Sequence, residues 1–393
     1  MSEFKASSFT NEDGSHGPDF VGLTTFTSPY YFVPPSGTTA ERPSGSDCVP
    51  GLLRFNTDIG RLEVWRGDHW GIILGESPNL GISTAAAPAS GGTGARGVFG
   101  GGYTLTPTNR IDYITISTLG NSLYFGDLTT ARSGNASCSS STRGLFAGGN
   151  TPPGAFTDAI YYLSFSSTGN TSSFGTLVSG ITRYVQGCSN ATRGLFGGGQ
   201  GPGYSYRNNI DYVTIASEGT SVNFGQLLTR CNLGATCASS TRGVWAGGYN
   251  DNTSLICHVT ISTLGNANNF GNLTVGRYTV SGCSNSVRGV FAGGFTPSPT
   301  PNTVLNTIDY ITIASKGDAT NFGQLSVTRL GTGSCSSSTR GVFAGGYTAP
   351  SPAILTNVID YVTISATGNA VNFGNLSGSH SYFAGCSNGH GGL

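Results

Sequence analysis

Thr142-Arg143-Gly144-Leu145-Phe146-Ala147-Gly148-Gly149 carries a phrase that the chain repeats six times: an Arg-Gly dipeptide, a short apolar run and a double glycine. The other copies begin at Arg96, Arg193, Arg242, Arg288 and Arg340, so successive arginines stand 47, 50, 49, 46 and 52 residues apart. Self-similarity at such a period means that one supersecondary unit has been stacked. The unit is too long for an ankyrin, tetratricopeptide or leucine-rich repeat and long enough for four short strands.

Around the phrase each unit shows four runs separated by turn residues, the pattern of an all-β fold. The first is a small-residue run holding a cysteine, as in Cys138-Ser139-Ser140-Ser141, and the second is the apolar run Leu145 to Gly149. The third alternates, as in Ile210-Asp211-Tyr212-Val213-Thr214-Ile215, and so has two unlike faces. After a turn such as Thr263-Leu264-Gly265-Asn266 comes the fourth, Asn269-Phe270-Gly271-Asn272-Leu273. The cysteine recurs at Cys138, Cys188, Cys237, Cys283, Cys335 and Cys386, and the phenylalanine at Phe125, Phe174, Phe224, Phe270, Phe322 and Phe373. Six four-stranded units suit a six-bladed β-propeller. The array starts at the second run of its first unit and finishes on a sixth copy of the first run, Tyr382 to Ser387. That C-terminal run is expected to complete the first unit and to remove an open sheet edge.

The double glycine after an apolar strand, the aromatic residue in the next strand, the bulky residue in the fourth and the arginine before the following unit resemble the kelch repeat over residues 96 to 388. The resemblance implies a six-bladed kelch-like β-propeller. In the fourth strand the sequence departs from the kelch pattern, since Phe-Gly replaces the usual tryptophan. Gly225-Gln226-Leu227 and Gly323-Gln324-Leu325 resemble the signature of seven-bladed chromatin-associated repeats, in two of the six units only.

Charged residues make up 10 % of the 393 and the formal net charge is zero, so no field is present to gather nucleic acid or an anionic membrane. The 62 glycines recur at fixed repeat positions beside apolar residues, which points to tight turns and close-packed strands. The first ten residues lack the apolar core of a signal peptide, and no stretch has the length of a membrane helix. The expectation is a chain made in a cytoplasm, without membrane insertion, its nine cysteines reduced.

Residues 1–80 read as a separate module ahead of the array at 81–393. Residues 18 to 50 are rich in Pro, Ser, Thr and Gly, an extended arm that needs a surface to lie on, with Phe20, Phe26, Tyr30, Tyr31 and Phe32 as anchors for attachment. Leu52 to Asn56 and Arg61 to Trp65 flank Thr57-Asp58-Ile59-Gly60 as a hairpin, and Trp70 to Leu74 adds a third strand. Arm and hairpin resemble N-terminal segments of tailed-phage virion proteins, those of cyanophages above all. That resemblance implies an attachment or trimerisation element for residues 19 to 74. Arg66-Gly67-Asp68 reads as a turn.

Six cysteines at one repeat position invite a metal or redox reading. Zinc needs converging ligands, usually from close pairs, and none of these cysteines has a near partner in sequence; packing between crowded strands is the expected role. Copper chemistry of the galactose-oxidase kind needs converging tyrosine and histidine, which His16, His69, His258, His380 and His390 do not offer by position. Asp112, Asp211, Asp309 and Asp360 share one strand position and are expected to bond neighbouring turns or backbone amides.

Strand alternation puts the six Arg-Gly turns at one end, and the loops after the double glycines and those between units at the opposite end. That second end carries Arg132, Arg183, Arg230, Arg277 and Arg329, with His380 in sixth place, together with loops of varied sequence. Phe156 in Thr151 to Phe156 and the pair Tyr204 and Tyr206 in Gly201 to Tyr206 are the aromatic candidates for stacking on sugars or protein surfaces. The arginines have two readings, one in ligand binding and one in holding neighbouring units together.

The whole is read as a non-enzymatic virion protein without metal or cofactor, a fibre, appendage or receptor-binding element assembled in a host cytoplasm. It meets other virion proteins through its arm, as a homo-oligomer or alone, and offers its loops to a host-surface glycan or protein. The rival classes are a carbohydrate-active propeller enzyme and an intracellular peptide-binding kelch scaffold.

Overall fold

The alternating and apolar runs become strands, and the strands assemble four at a time into antiparallel sheets. The computed structural model describes residues 34–44, 48–72, 95–250, 253–297, 303–350 and 353–393. Two units divide the chain, Met1–Leu80 and Gly81–Leu393. Among the described residues the second unit holds six four-stranded sheets. Sheet 2 runs Ala136–Ser139, Arg143–Ala147, Ala159–Ser164 and Ser172–Thr176, each strand paired with the next. Sheets 3 to 6 follow the same plan, opening with Gln186–Ser189, Ala235–Ala238, Ser281–Ser284 and Gly333–Ser336. They close with Val222–Gln226, Asn268–Asn272, Thr320–Gln324 and Val371–Asn375. Sheet 1 is composite. Its Arg96–Gly100, Thr108–Thr115 and Leu123–Arg132 take Ala384–Ser387 as first strand, in register from Ala384 opposite Gly100 to Ser387 opposite Gly97. A weak run in the sequence, Ala86 to Thr93, is the local alternative for this strand, and it lies outside the described residues.

The second strand of each sheet starts at its arginine and stops before the double glycine, which sequence alone had placed inside the strand. Both glycines are left-handed: φ is 61 to 77° at the first and 95 to 113° at the second, a region other residues avoid. There the chain leaves the sheet. The second glycine's N–H then donates to the loop that leads to the following sheet, as Gly149 does to Thr182 O and Gly248 to Arg277 O, at 2.8 and 3.0 Å.

The apolar cores lie between sheets. Phe146 of sheet 2 is buried with Val98, Ile111 and Phe125 of sheet 1, and Phe196 of sheet 3 with Leu145, Ile160 and Phe174 of sheet 2. Trp245, Phe291 and Phe343 repeat the arrangement against sheets 3, 4 and 5. Phe99 of sheet 1 completes it against Val342, Ile359 and Phe373 of sheet 6. The order is cyclic.

The arginines of the repeat clamp the same interfaces. Arg143 Nη1 donates to the carbonyls of Ile215 and Ala216, Arg193 to Ile261 and Ser262, Arg242 to Ile313 and Ala314, Arg288 to Ile364 and Ser365, at 2.7 to 3.4 Å. Arg340 of sheet 6 donates to Ile116 and Ser117 of sheet 1, at 3.0 and 2.9 Å. Five of the six guanidinium groups also lie 4.7 to 5.0 Å from a third-strand tyrosine ring in their own sheet. In sheet 4 His258 stands in that place, held below the ordinary histidine value by burial and by the nearby Arg242 charge.

The Phe-Gly of the fourth strand has its own reason. Phe174 O accepts from Gly219 N, and Phe322 O from Gly368 N, both at 2.8 Å, so the outer strand of one sheet bonds the last turn of the following sheet. A Cβ on Gly225 or Gly323 would stand 2.2 Å from the carbonyl oxygen of Gly265 or Gly368. Only glycine lets the backbones approach so closely.

In the first unit the strands Ser36–Gly37, Leu53–Asn56, Arg61–Trp65 and Trp70–Ile72 lie in that order, the first two parallel. Hairpin and third strand match the sequence reading, and Arg66 N donates to His69 O in a turn at Arg-Gly-Asp. The arm, expected to need a partner's surface, lies at 36–43 on its own hairpin. Arg42 pairs with the buried Glu63, and Trp70 Nε1 donates to Pro43 O at 2.9 Å. The proposed anchors Phe20, Phe26, Tyr30, Tyr31 and Phe32 lie outside the described residues.

Deleting residues 379–393 removes the first strand of sheet 1 and leaves Arg96–Gly100 as an open edge. A cooperative loss of thermal stability across the whole array is expected, read by calorimetry. A truncated chain that melts like the full one would show the seam to be dispensable.

Candidate functional site

Two kinds of loop meet at the end of the array opposite the Arg-Gly turns. Residues just past the double glycines bridge residues of the sheet-to-sheet loops: Tyr103 with Ser381, Asn150 with Ser133, Gln200 with Arg183, Phe295 with Tyr278, and Tyr347 with Leu330. This is the loop face. At its centre six residues, Gly134, Tyr184, Leu233, Thr279, Gly331 and Tyr382, all hold φ between 51 and 65°. Their backbones form a cycle of N–H to O=C bonds: Tyr184 to Gly134, Leu233 to Tyr184, Thr279 to Leu233, Gly331 to Thr279, Tyr382 to Gly331, and Gly134 to Tyr382, at 2.6 to 3.4 Å. Nothing in the composition of these six positions announced the ring.

Aromatic side chains spread outward from it. The rings of Tyr347, Tyr382 and Tyr184 follow one another at 5.7 Å, and Arg183 bridges Tyr184 to Phe156 at 4.9 and 4.7 Å. A second series runs Tyr206, Tyr249, Tyr278 and Phe295, at 5.9, 5.1 and 5.4 Å. Tyr204, 74 % exposed, stands beside it in sequence with a left-handed φ of 59°. Of the three aromatic candidates, then, Tyr204 is open, Tyr206 belongs to the second series and Phe156 is capped by Arg183. Tyr103, Tyr184, Tyr249, Tyr278, Tyr347 and Tyr382 were missed. For Tyr103, Tyr249 and Tyr347 the signal was the aromatic residue that directly follows the double glycine in four units, while Tyr184, Tyr278 and Tyr382 lie in the sheet-to-sheet loops, outside that pattern.

The arginines correct the ligand-binding expectation. Arg132, Arg277 and Arg329 are at most 1 % exposed. Arg277 pairs with Asp309 at 2.9 Å and Arg329 with Asp360 at 2.5 Å, while Arg132 donates to the carbonyls of Gly148 and Ala159 and lies over Tyr161. These three hold one sheet to the next and reach no ligand at the surface. Arg183 is only partly buried but is engaged with Gln200 Oε1 at 2.9 Å. The aspartates behave as expected: Asp309 also accepts from Thr274, Asp360 from Ser326, Asp211 from Ser179 N and Ser221, and Asp112 from Ser377 and Ser122.

Below the ring lies the axis, lined by the six first strands around a cavity of about 160 Å³. The cysteines turn away from it. A Cβ on the glycine after each repeat arginine would fall 2.4 to 3.1 Å from the preceding sheet's thiol, as Gly194 would from Cys138 and Gly289 from Cys237. Each thiol therefore fills the space that glycine leaves, and burial pushes Cys283 and Cys386 up to about 12. At the Arg-Gly end, serine hydroxyls bond carbonyls of the neighbouring first strand: Ser139 to Ser387, Ser189 to Ser139, Ser284 to Ala238, Ser336 to Ser284. Ala238 has no hydroxyl for Ser189. The C-terminal residues pack there instead, with Gly391 N donating to Ser284 O at 2.9 Å and His390 Nε2 2.9 Å from Ser139 O. His390 Nδ1 accepts from Gly392 N at 3.1 Å.

Among the described residues no group of three or more His, Cys, Asp or Glu gathers as for a metal ion, and no helix is long and apolar enough to cross a membrane. No protein-family model and no curated protein matches the chain.

Two expectations follow from these placements. Arg329→Ala strips a buried carboxylate of its partner and should cost roughly 3–5 kcal/mol in denaturant unfolding, whereas Tyr204→Ala should stay within about 0.5 kcal/mol. Similar costs for the two would return Arg329 to the surface. Burial lowers the His390 value, so the neutral ring is the form the fold prefers. Its contribution is complete above the ordinary histidine value of about 6.5 and is lost as pH falls through the lowered value. A melting profile from pH 8 to pH 4 should therefore lose more stability in the wild type than in His390→Gln.

Proposed function

We propose that the chain is a non-enzymatic virion structural protein of a tailed phage, in which the six sheets form a kelch-like β-propeller that displays its loop face outward. The observation that carries the reading is the polarity of the array. Its first and last strands meet at the Arg-Gly end, where Arg96 N donates to Asn388 Oδ1 at 2.7 Å. The described part of the array therefore begins, at residues 95–96, at the end opposite the aromatic loops. A scaffold held at one end and varied at the other suits display.

The propeller reading is supported by six inter-sheet cores in cyclic order, by arginine clamps that return from sheet 6 to sheet 1, and by the shared first-strand axis. The phage assignment rests on the resemblance of the arm and hairpin. The rival enzyme class finds no support in the strand-three aspartates, since each is spent on a neighbouring turn or arginine.

Mass spectrometry of purified particles, with immunogold labelling, tests the proposal. The full chain should be found in particles, and a chain starting at Gly81 should fold yet fail to be incorporated. Absence of the full chain from particles would overturn the virion reading, and normal incorporation of the shortened one would overturn attachment through residues 1–80.

A further inference from the structure

One of the six inter-sheet clamps is built differently from the rest. In sheets 1, 2, 3, 5 and 6 the repeat arginine lies 4.7 to 5.0 Å from the ring of a third-strand tyrosine, whereas sheet 4 has His258 in that place. Val244 stands opposite His258 in the ladder, so Arg242, two residues before Val244, projects from the same face as its diagonal neighbour. We infer that mild acid opens the array first between sheets 4 and 5, with His258 as the group that takes up the proton.

The ring has no place for a charge. His258 is 6 % exposed and meets Phe270 edge to face at 5.7 Å, and its Nδ1 is buried with no hydrogen-bond partner among the described residues. A proton on that nitrogen makes a donor without an acceptor and a charge without solvent. The surrounding interface is apolar, built from Phe270, Ile311 and Ile313.

The charged groups that face the ring are cations. From its own sheet comes Arg242, which cannot turn away without giving up the carbonyls of Ile313 and Ala314 on sheet 5, at 2.8 and 2.7 Å. From sheet 5 comes Lys316, in the turn whose Gly317 N donates to Phe270 O at 2.8 Å. The fourth strand of sheet 4, Asn268–Asn272, has no titratable side chain. Asp318, the carboxylate of the Lys316 turn, is occupied by Asn272 N and Nδ2 at 2.8 and 3.2 Å. Burial, Arg242 and Lys316 together hold the imidazole below the ordinary histidine value, against a backbone hydrogen bond with Asn268. Two interfaces earlier the charge is reversed, with Glu218 in the Lys316 position beside Tyr162.

The neutral ring is thus the form that the closed interface prefers. Closure should weaken about tenfold for each pH unit between the ordinary histidine value of about 6.5 and the lowered one. The loss falls on the bonds that Arg242 makes to sheet 5.

The array itself supplies a substitution that should fold, since tyrosine fills this position in the other five sheets. The test compares hydrogen-exchange protection factors of the full chain at pH 8 and pH 5 with those of His258→Tyr and Lys316→Glu. Wild type should lose protection roughly tenfold or more at 255–260 and 313–316, and less at 159–164 and 215–218, the matching segments of sheets 2 and 3. His258→Tyr should keep at pH 5 the protection it has at pH 8, because a phenol does not titrate in that range. Equal losses at the two interfaces, or a loss that persists in His258→Tyr, would overturn the inference. If His258→Tyr melts early, Lys316→Glu decides. Lys316 is an exposed turn residue, and a carboxylate there should shrink the acid loss; an unchanged loss would overturn the inference.

Discussion

No sheet of the array has a core of its own. The large aromatic residue of each second strand, from Phe99 through Trp245 to Phe343, is buried against the preceding sheet. Each such burial stabilises by about 1.5–3 kcal/mol, but only while the neighbour is in place. Stability is then a sum over interfaces, as in other repeat proteins. Here the ends meet, so the seam at Ala384–Ser387 turns an open stack with two exposed apolar faces into a cycle with none. Loop-closure entropy rises by only about 0.6 kcal/mol for each doubling of length, so joining the two ends of so long a chain costs little more than joining nearer points.

The cycle of six has a finer order along its axis. The residue before each repeat cysteine alternates, Ser137, Gly187, Thr236, Gly282, Ser334, Gly385. Each hydroxyl donates to the preceding sheet's glycine: Ser137 to Gly385 O, Thr236 to Gly187 O, Ser334 to Gly282 O, at 2.6 to 2.8 Å. A Cβ on any of those glycines would fall 2.4 to 2.5 Å from a carbonyl oxygen of the strand before it. The turn residue after the first strand alternates too, Ser140, Asn190, Ser239, Asn285, Ser337, Asn388. Both series read as pairs of units repeated three times, and crowding at the axis is the reason one of them must.

Period and strand pattern made the sheets and the C-terminal seam legible, because the cysteine run at Tyr382 to Ser387 had no other partner. The aspartates were legible for a similar reason, four at one strand position. The arginines were not. Counted back from the cysteine, Arg132, Arg277 and Arg329 stand at six residues, Arg183 at five and Arg230 at seven, so the set joined three registers. Arg277 and Arg329 share a unit boundary with an aspartate, whereas Arg132 meets Tyr161, and sheet 4 places Cys231 and Cys257 where the ion pair would be. With the pairing present in only two of the six sheets, sequence could not show that burial was the rule. The backbone ring at the loop face left no trace at all, since glycine, tyrosine, leucine and threonine share no property except the conformation imposed on them.

That conformation bears on function. A left-handed backbone costs a residue with a side chain roughly 1–2 kcal/mol relative to its usual state, and glycine in two of the six positions shows that the ring closes without one. Tyr184 and Tyr382 add no apolar core to any inter-sheet cluster. Their rings lie instead across Gly134 and Gly331, whose missing side chains leave the room, and against each other at the mouth. Strain borne at a surface position that the scaffold could fill with glycine is the kind of outlier from which function is argued. Because the double glycines tie the strand ends to the sheet-to-sheet loops through backbone bonds, the side chains beyond them are released from holding the sheets together. The loop face can therefore vary in sequence without a change of fold.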